Sequence, residues 1–138
     1  MLPPDFSDEV VCIDFDGVLR SYNGYDQPVG PGDEPVRGSR DAVEWFVRHK
    51  AKVVILTARP ERNHWSVRQW LTKHGFPPGL EVTNVKPPAH LYIDDRACRF
   101  EQSVPEASWA SAMMLFDDSV KMRRAQVREE ERIAGEGR

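Results

Sequence analysis

The run Val10-Val11-Cys12-Ile13-Asp14-Phe15-Asp16-Gly17-Val18-Leu19 constrains this chain more than any other stretch. Its apolar, β-branched first half reads as a buried strand. Two carboxylates one residue apart follow, then a glycine that permits a sharp turn. Alternation along a strand puts Asp14 and Asp16 on one side, at the strand's carboxyl end. Open α/β sheets build their active sites at that edge. Two acids so placed repel each other by roughly 4 kcal/mol at about 4 Å and an effective dielectric of about 20. A positive partner is needed between them, and a hard divalent cation suits two carboxylates.

Asp-X-Asp-Gly also opens calcium loops and serves as ordinary turn chemistry. A calcium loop counted from Asp14 requires glutamate at its twelfth position, and Tyr25 stands there. The metal–nucleotide motif of glycosyltransferases has the same pattern, but 138 residues is a small frame for such an enzyme.

The segment after the first strand, Arg20 to Gly38, holds three prolines and four glycines without periodicity. It predicts a loop or small hairpin of a length often associated with function. Ser39 reads as the N-cap of a helix to about His49, with Ala42, Val43, Phe46 and Val47 facing inward. Lys52 to Leu56 is a second buried strand. A second helix spans about Glu61 to His74, with Gly75 just past its end. Val82 to Val85 and Leu91 to Ile93 are brief third and fourth strands. Ala112 to Phe116 reads as a fifth, and Val120 to Ile133 as a charged helix. The expectation is one α/β domain over 1–138, with a core at about 10–118 and a charged helix at about 120–134. Its sheet is mostly parallel, with helices on both faces.

The strand ends gather the chemistry. The first closes in Asp14 and Asp16, the second in Thr57-Ala58-Arg59, and the fourth in Asp94-Asp95, while Lys86 follows the third. A parallel sheet brings all of these to one edge. Four carboxylates destabilise one another unless a cation such as Mg²⁺ converts their repulsion into binding. A hydroxyl, turn amides and a lysine facing that cation make a phosphate site. Lys73 is set aside because it lies inside the second helix.

With these residues in hand, the chain resembles the haloacid dehalogenase superfamily of phosphohydrolases over roughly Val10 to Phe100. Asp14-Phe15-Asp16-Gly17-Val18 is similar to the first motif and Ile55-Leu56-Thr57-Ala58-Arg59 to the second. Lys86 is similar to the third motif and Tyr92-Ile93-Asp94-Asp95 to the fourth. The resemblance implies a three-layer Rossmann-like core and a phosphatase that works through an aspartyl-phosphate. Asp14 would be the nucleophile and Asp16 the general acid and base. Thr57, the amides around Ala58, Arg59 and Lys86 would hold the phosphoryl oxygens. Mg²⁺ would be held by Asp14, Asp94 and the Asp16 carbonyl, with Asp95 ligating directly or through water. The second aspartate, Asp16, argues against dehalogenation. Neither interval between motifs has room for a cap domain, so an open crevice is expected.

The resemblance implies a phosphorylated substrate, a small molecule or a polymer end. A nucleotide or nucleic-acid-end phosphatase is the alternative within the class, and a non-catalytic metal-dependent module for a phospholigand or protein is the alternative outside it. The net charge of −3 gives nucleic acid no support as a partner. A homo-oligomer stays open. No signal-peptide pattern or membrane-length apolar run is present, and two cysteines make no disulfide framework, so a reduced, cytoplasmic protein is expected.

Weaker candidates surround this set. Tyr22, Tyr25 and Asp26 sit in the loop expected to overhang the crevice, and Arg59 and Arg96 directly follow motif residues. For each the alternatives are substrate contact or an ordinary surface role. His64 falls in the first turn of the second helix, near the site edge. His49, His74 and His90 read as helix-end or loop residues, and Val67, Trp70 and Leu71 as a core stripe. Trp45 and Trp109 carry no assignment. Arg123, Arg124 and Arg128, interleaved with Glu129, Glu130 and Glu131, form a solvated helix face or a dimer contact.

Overall fold

The computed structural model describes residues 2–21 and 33–137; Tyr22, Tyr25 and Asp26 lie outside the described residues. The chain forms two compact units, Met1–Asp95 and Arg96–Arg138.

The first unit contains strands β1 (Val10–Asp14), β2 (Lys52–Leu56), β3 (Glu81–Thr83) and β4 (Leu91–Ile93), with helices α1 (Ser39–Arg48) and α2 (His64–Lys73). The four strands form one sheet in the order β3-β2-β1-β4, and every pairing is parallel. From β1 the chain steps outward to β2 and β3, then returns to the far side of β1 for β4. The strand order therefore reverses between β1 and β4, the place where α/β sheets open a binding crevice. Register fixes what stands there. Ile13 lies between Ile55 and Ile93, and Asp14 is level with Leu56. Asp14 and Asp94 consequently leave the sheet side by side.

One face of the sheet carries Val11, Ile13, Val53, Ile55 and Val82, buried against Val43 of α1 and Val67, Trp70 and Leu71 of α2. Phe15 is fully buried just beyond β1 and meets Trp70 edge-on at 5.2 Å between ring centroids. The alternate residues Cys12 and Val54 are buried as well, so these strands are near-continuous apolar runs, as parallel sheets require. The α/β parallel sheet expected from the strand–helix alternation is present. Of the residues expected on the inner face of α1, Val43 is buried and Phe46 half-buried, whereas Ala42 and Val47 are exposed.

The third strand runs Glu81–Thr83 where Val82–Val85 was expected, Asn84 and Val85 having already left the sheet, and three further local expectations are corrected. Gly38, at φ +85°, occupies the position before α1, and Ser39 is its first residue. The Ser39 hydroxyl donates to the Leu19 carbonyl at 3.2 Å instead of capping the helix. The helix expected from about Glu61 begins with a 3₁₀ turn, Glu61–Asn63, before α2 proper. Gly75 does follow α2 in the left-handed conformation, at φ +75°.

The third correction concerns the second unit, which is dominated by the 32-residue helix α3 (Pro105–Glu136). Ala112 to Phe116 lies within this helix and is not a strand. Its residues (Ala, Met, Met, Leu, Phe) include no β-branched side chain and several strong helix formers. Pro105 starts the helix where a missing N–H costs nothing, so α3 begins well before the expected Val120. No helix among the described residues is long and apolar enough to cross a membrane.

Candidate metal and phosphate site

Asp14, Asp94 and Asp95 each present a carboxylate oxygen, and the three oxygens lie within 4.8 Å of one another. Adjacent parallel strands deliver Asp14 and Asp94, and the chain continuing past β4 adds Asp95. Gly17 makes room for this arrangement. Its φ is +85°, and a Cβ built on it would lie 2.3 Å from Asp95 Oδ2. That is far inside van der Waals contact, so a side chain at position 17 and Asp95 in this position exclude each other.

Crowding shows in the acidity of Asp14. Its carboxyl is pushed up to about 7 by burial first, then by the charge of Asp94, a hydrogen bond with Asp95 and the charges of Asp95 and Asp16. The Cys12 thiol, two residues before Asp14 on the same side of β1, is raised by burial and by Asp14, and Lys86 opposes the shift. Without a cation, three converging carboxylates are relieved by taking up a proton. With one, the same oxygens become its ligands, and an all-oxygen donor set suits a hard divalent ion.

Asp16 occupies different surroundings, with both of its carboxylate oxygens gripped by arginines. Arg59 donates from Nε to Oδ2 at 3.2 Å and from Nη2 to Oδ1 at 3.1 Å, a two-pronged contact. Arg20 donates from Nη1 to Oδ1 at 2.6 Å. Arg20 is only 1% exposed and also donates from Nε to Asp33 Oδ2 at 2.9 Å. The Asp33 carbonyl in turn accepts the Trp70 indole N–H at 2.9 Å. The ends of the long loop close on this network. Ser21 N–H donates to the Glu34 carbonyl, Val36 N–H to that of Leu19, and Arg20 bridges Pro35 in antiparallel fashion.

The turn after β2 is also tied down. Thr57 is buried, its N–H donates to the Thr83 carbonyl at 2.9 Å, and its hydroxyl accepts the Arg59 N–H at 3.2 Å. His64 Nε2 bonds the Arg59 carbonyl at 2.9 Å, so the first residue of α2 braces the turn that aims the Arg59 guanidinium. Ala58 is exposed at the turn's apex. Lys86 is exposed, with its ammonium 4.3 Å from the centroid of the Tyr92 ring. The Tyr92 hydroxyl donates to the Pro87 carbonyl at 2.6 Å.

Of the residues named from the sequence, Asp14, Asp94 and Asp95 come together, and Asp16 with Arg59 forms a neighbouring cluster. Arg96 belongs to the second unit. His49 and His90 make backbone contacts, with the Trp45 carbonyl and the Val10 N–H respectively. The sequence reading missed Arg20, Asp33 and the supporting part of His64. A hint for Arg20 was its place just after the Asp-X-Asp-Gly turn, within reach of Asp16 once Gly17 reverses the chain.

No protein-family model and no curated protein matches this sequence. Among solved structures, a chain of the Pnkp1/Rnl/Hen1 complex is similar at 18% sequence identity and a TM-score of 0.47. The match covers 73% of this chain and 33% of that one, so the present chain spans about a third of its neighbour's length.

Proposed function

We propose that this chain is a Mg²⁺-dependent phosphomonoesterase of the haloacid dehalogenase type, with Asp14 as nucleophile. The observation that carries the reading is the convergence of Asp14, Asp94 and Asp95 where the strand order reverses, with Gly17 leaving space for Asp95. Such a cluster is costly to maintain without a cation. Mg²⁺, when held by these carboxylates and the Asp16 carbonyl, would offset the negative charge of the phosphoryl group and keep Asp14 ionised.

The chain's own residues then have distinct tasks. An Asp14 oxygen attacks phosphorus and the bond to the leaving oxygen breaks, giving an aspartyl-phosphate and an alcohol. Asp16 gives its proton to that oxygen, then takes one from the water that attacks phosphorus and frees Asp14. For that exchange Asp16 must leave the arginine grip, and Arg59 has an alternative partner in the incoming phosphate. Thr57, the Ala58 amide and Lys86 hold the equatorial oxygens, where charge is spread in the transition state.

The short described connections between motifs favour an open, cap-less site that accepts a small phosphorylated molecule or a polymer end. We take 1–138 as one functional domain built on the parallel sheet. The two free cysteines, Cys12 buried and Cys98 exposed, suit a reduced cytoplasmic setting.

The test is release of phosphate from an aryl phosphate by wild type and Asp14→Asn, with and without Mg²⁺. Turnover that requires Mg²⁺ and vanishes in the variant supports the reading. Equal turnover by both proteins removes Asp14 as nucleophile. A folded, Mg²⁺-binding wild type inactive on a broad panel of phosphomonoesters, nucleotides and 3′- and 5′-phosphorylated oligonucleotides would leave a non-catalytic binding module.

A further inference from the structure

Helix α3 carries apolar surface that a solvated helix does not need. Trp109, Met113 and Phe116 are 60%, 65% and 72% exposed. They recur at spacings of four and three, and the same alternation continues through Val120, Arg123, Val127, Glu130 and Ala134. That spacing, two positions in every seven, is the one a two-stranded coiled coil uses for its seam, here with Arg123 and Glu130 among otherwise apolar or small residues. The ion pairs from Arg132 to Glu129 and Glu136 lie off the seam, where a water-facing side belongs.

We propose that α3 pairs antiparallel with α3 of a second copy of this chain. Charge selects both the occupant and its direction. A parallel pair would set Arg123 against Arg123 and Glu130 against Glu130, like charges inside the seam. An antiparallel pair can be slid until Asp117 of each copy faces Arg124 of the other, a contact that the two-fold axis makes twice. The same register places Phe116 against Val127, Trp109 against the small Ala134, Val120 against the aliphatic stem of Arg123, and Met113 against the aliphatic stem of Glu130, so the like charges of the parallel pair are separated. In the single chain Asp117 pairs with Lys121 at 2.6 Å, an exposed contact four residues apart that contributes little and is readily exchanged. At 32 residues α3 is about 48 Å long, enough for four heptads. This inference is independent of the phosphatase reading.

Sedimentation equilibrium of the full chain over the micromolar range tests it. The wild type is expected to be a dimer, and Met113→Glu with Phe116→Glu a monomer of unchanged helicity. Asp117→Arg and Arg124→Asp, each alone, should raise the dimer dissociation constant about tenfold or more, and the two combined in one chain should restore it. The charge swap keeps the test decisive if the double glutamate variant misfolds. A monomeric wild type, or a dimer indifferent to these substitutions, would overturn the proposal.

Discussion

Replacing Gly17 by alanine separates the fold from the site. Two costs arise at this position. The backbone sits at φ +85°, where an L side chain is disfavoured by roughly 1–2 kcal/mol. The added Cβ would also meet Asp95 Oδ2 at 2.3 Å and Cγ at 2.8 Å. Asp95 is exposed, so its carboxylate can swing away with little loss of packing. Stability should therefore fall only by the backbone term, about 1–2 kcal/mol, a few degrees in melting temperature for a chain this size. Cation binding should suffer more, because one carboxylate leaves the cluster; about tenfold to a hundredfold weaker affinity is expected. Gly79→Ala is the control. It shares the backbone strain, at φ +77°, but nothing lies within 4 Å of its Cβ. The assay is calorimetric titration with Mn²⁺ or Mg²⁺, paired with thermal unfolding of each metal-free variant. Both variants should melt a few degrees below wild type, and only Gly17→Ala should lose cation affinity. Equal affinities in Gly17→Ala and wild type would refute the account of how the three carboxylates are held together.

Other outcomes follow from the same geometry. Arg20→Met removes a buried cation from between Asp16 and Asp33 and should cost about 3–5 kcal/mol by urea unfolding. Arg59→Met, at a partly exposed guanidinium, should cost about 1 kcal/mol yet abolish most phosphate release; a larger stability loss than that of Arg20→Met would contradict the network. In the metal-free protein the folded carboxyl of Asp14 holds its proton to about pH 7, against 3.8 when unperturbed. Its contribution is complete below pH 4 and is lost as pH rises toward 7, so stability should decline across that window. Solvent screening of a half-exposed group limits the decline to roughly 2 kcal/mol. Asp14→Asn should flatten the decline, and unfolding curves that still fall equally in the variant would contradict the assignment.

Much of the fold was readable because its core strands are unusually plain. Lys52–Leu56 and Leu91–Ile93 match the observed strands to the residue, and the acids at the ends of the first and fourth strands, Asp14 and Asp94-Asp95, share an edge because parallel pairing forces strand ends together. Ala112–Phe116 misled because a five-residue apolar run has no period of its own; its membership of α3 depends on Pro105 upstream and the charged turns downstream. Ser39 has the chemistry of a cap, but Gly38 takes the position by adopting φ +85° and frees the hydroxyl for Leu19. The arginine grip on Asp16 was hidden for a different reason. It joins Asp16, Arg20, Asp33 and Arg59 through two chain reversals, and nothing local distinguishes a guanidinium that folds back onto a carboxylate from one that reaches solvent. Lys86 is legible from its place after the third strand, while the Tyr92 ring beside its ammonium comes from the next strand and has no local signal.

Chemical trapping at Asp14 would capture the proposed aspartyl-phosphate itself. Wild type turning over an aryl phosphate in Mg²⁺ would be quenched in borohydride, which reduces an acyl phosphate to an alcohol, and its peptides read by mass spectrometry. Homoserine is expected at position 14, dependent on both substrate and Mg²⁺. Reduction at another carboxylate, or rapid turnover with residue 14 always recovered as aspartate, would contradict Asp14 as the nucleophile.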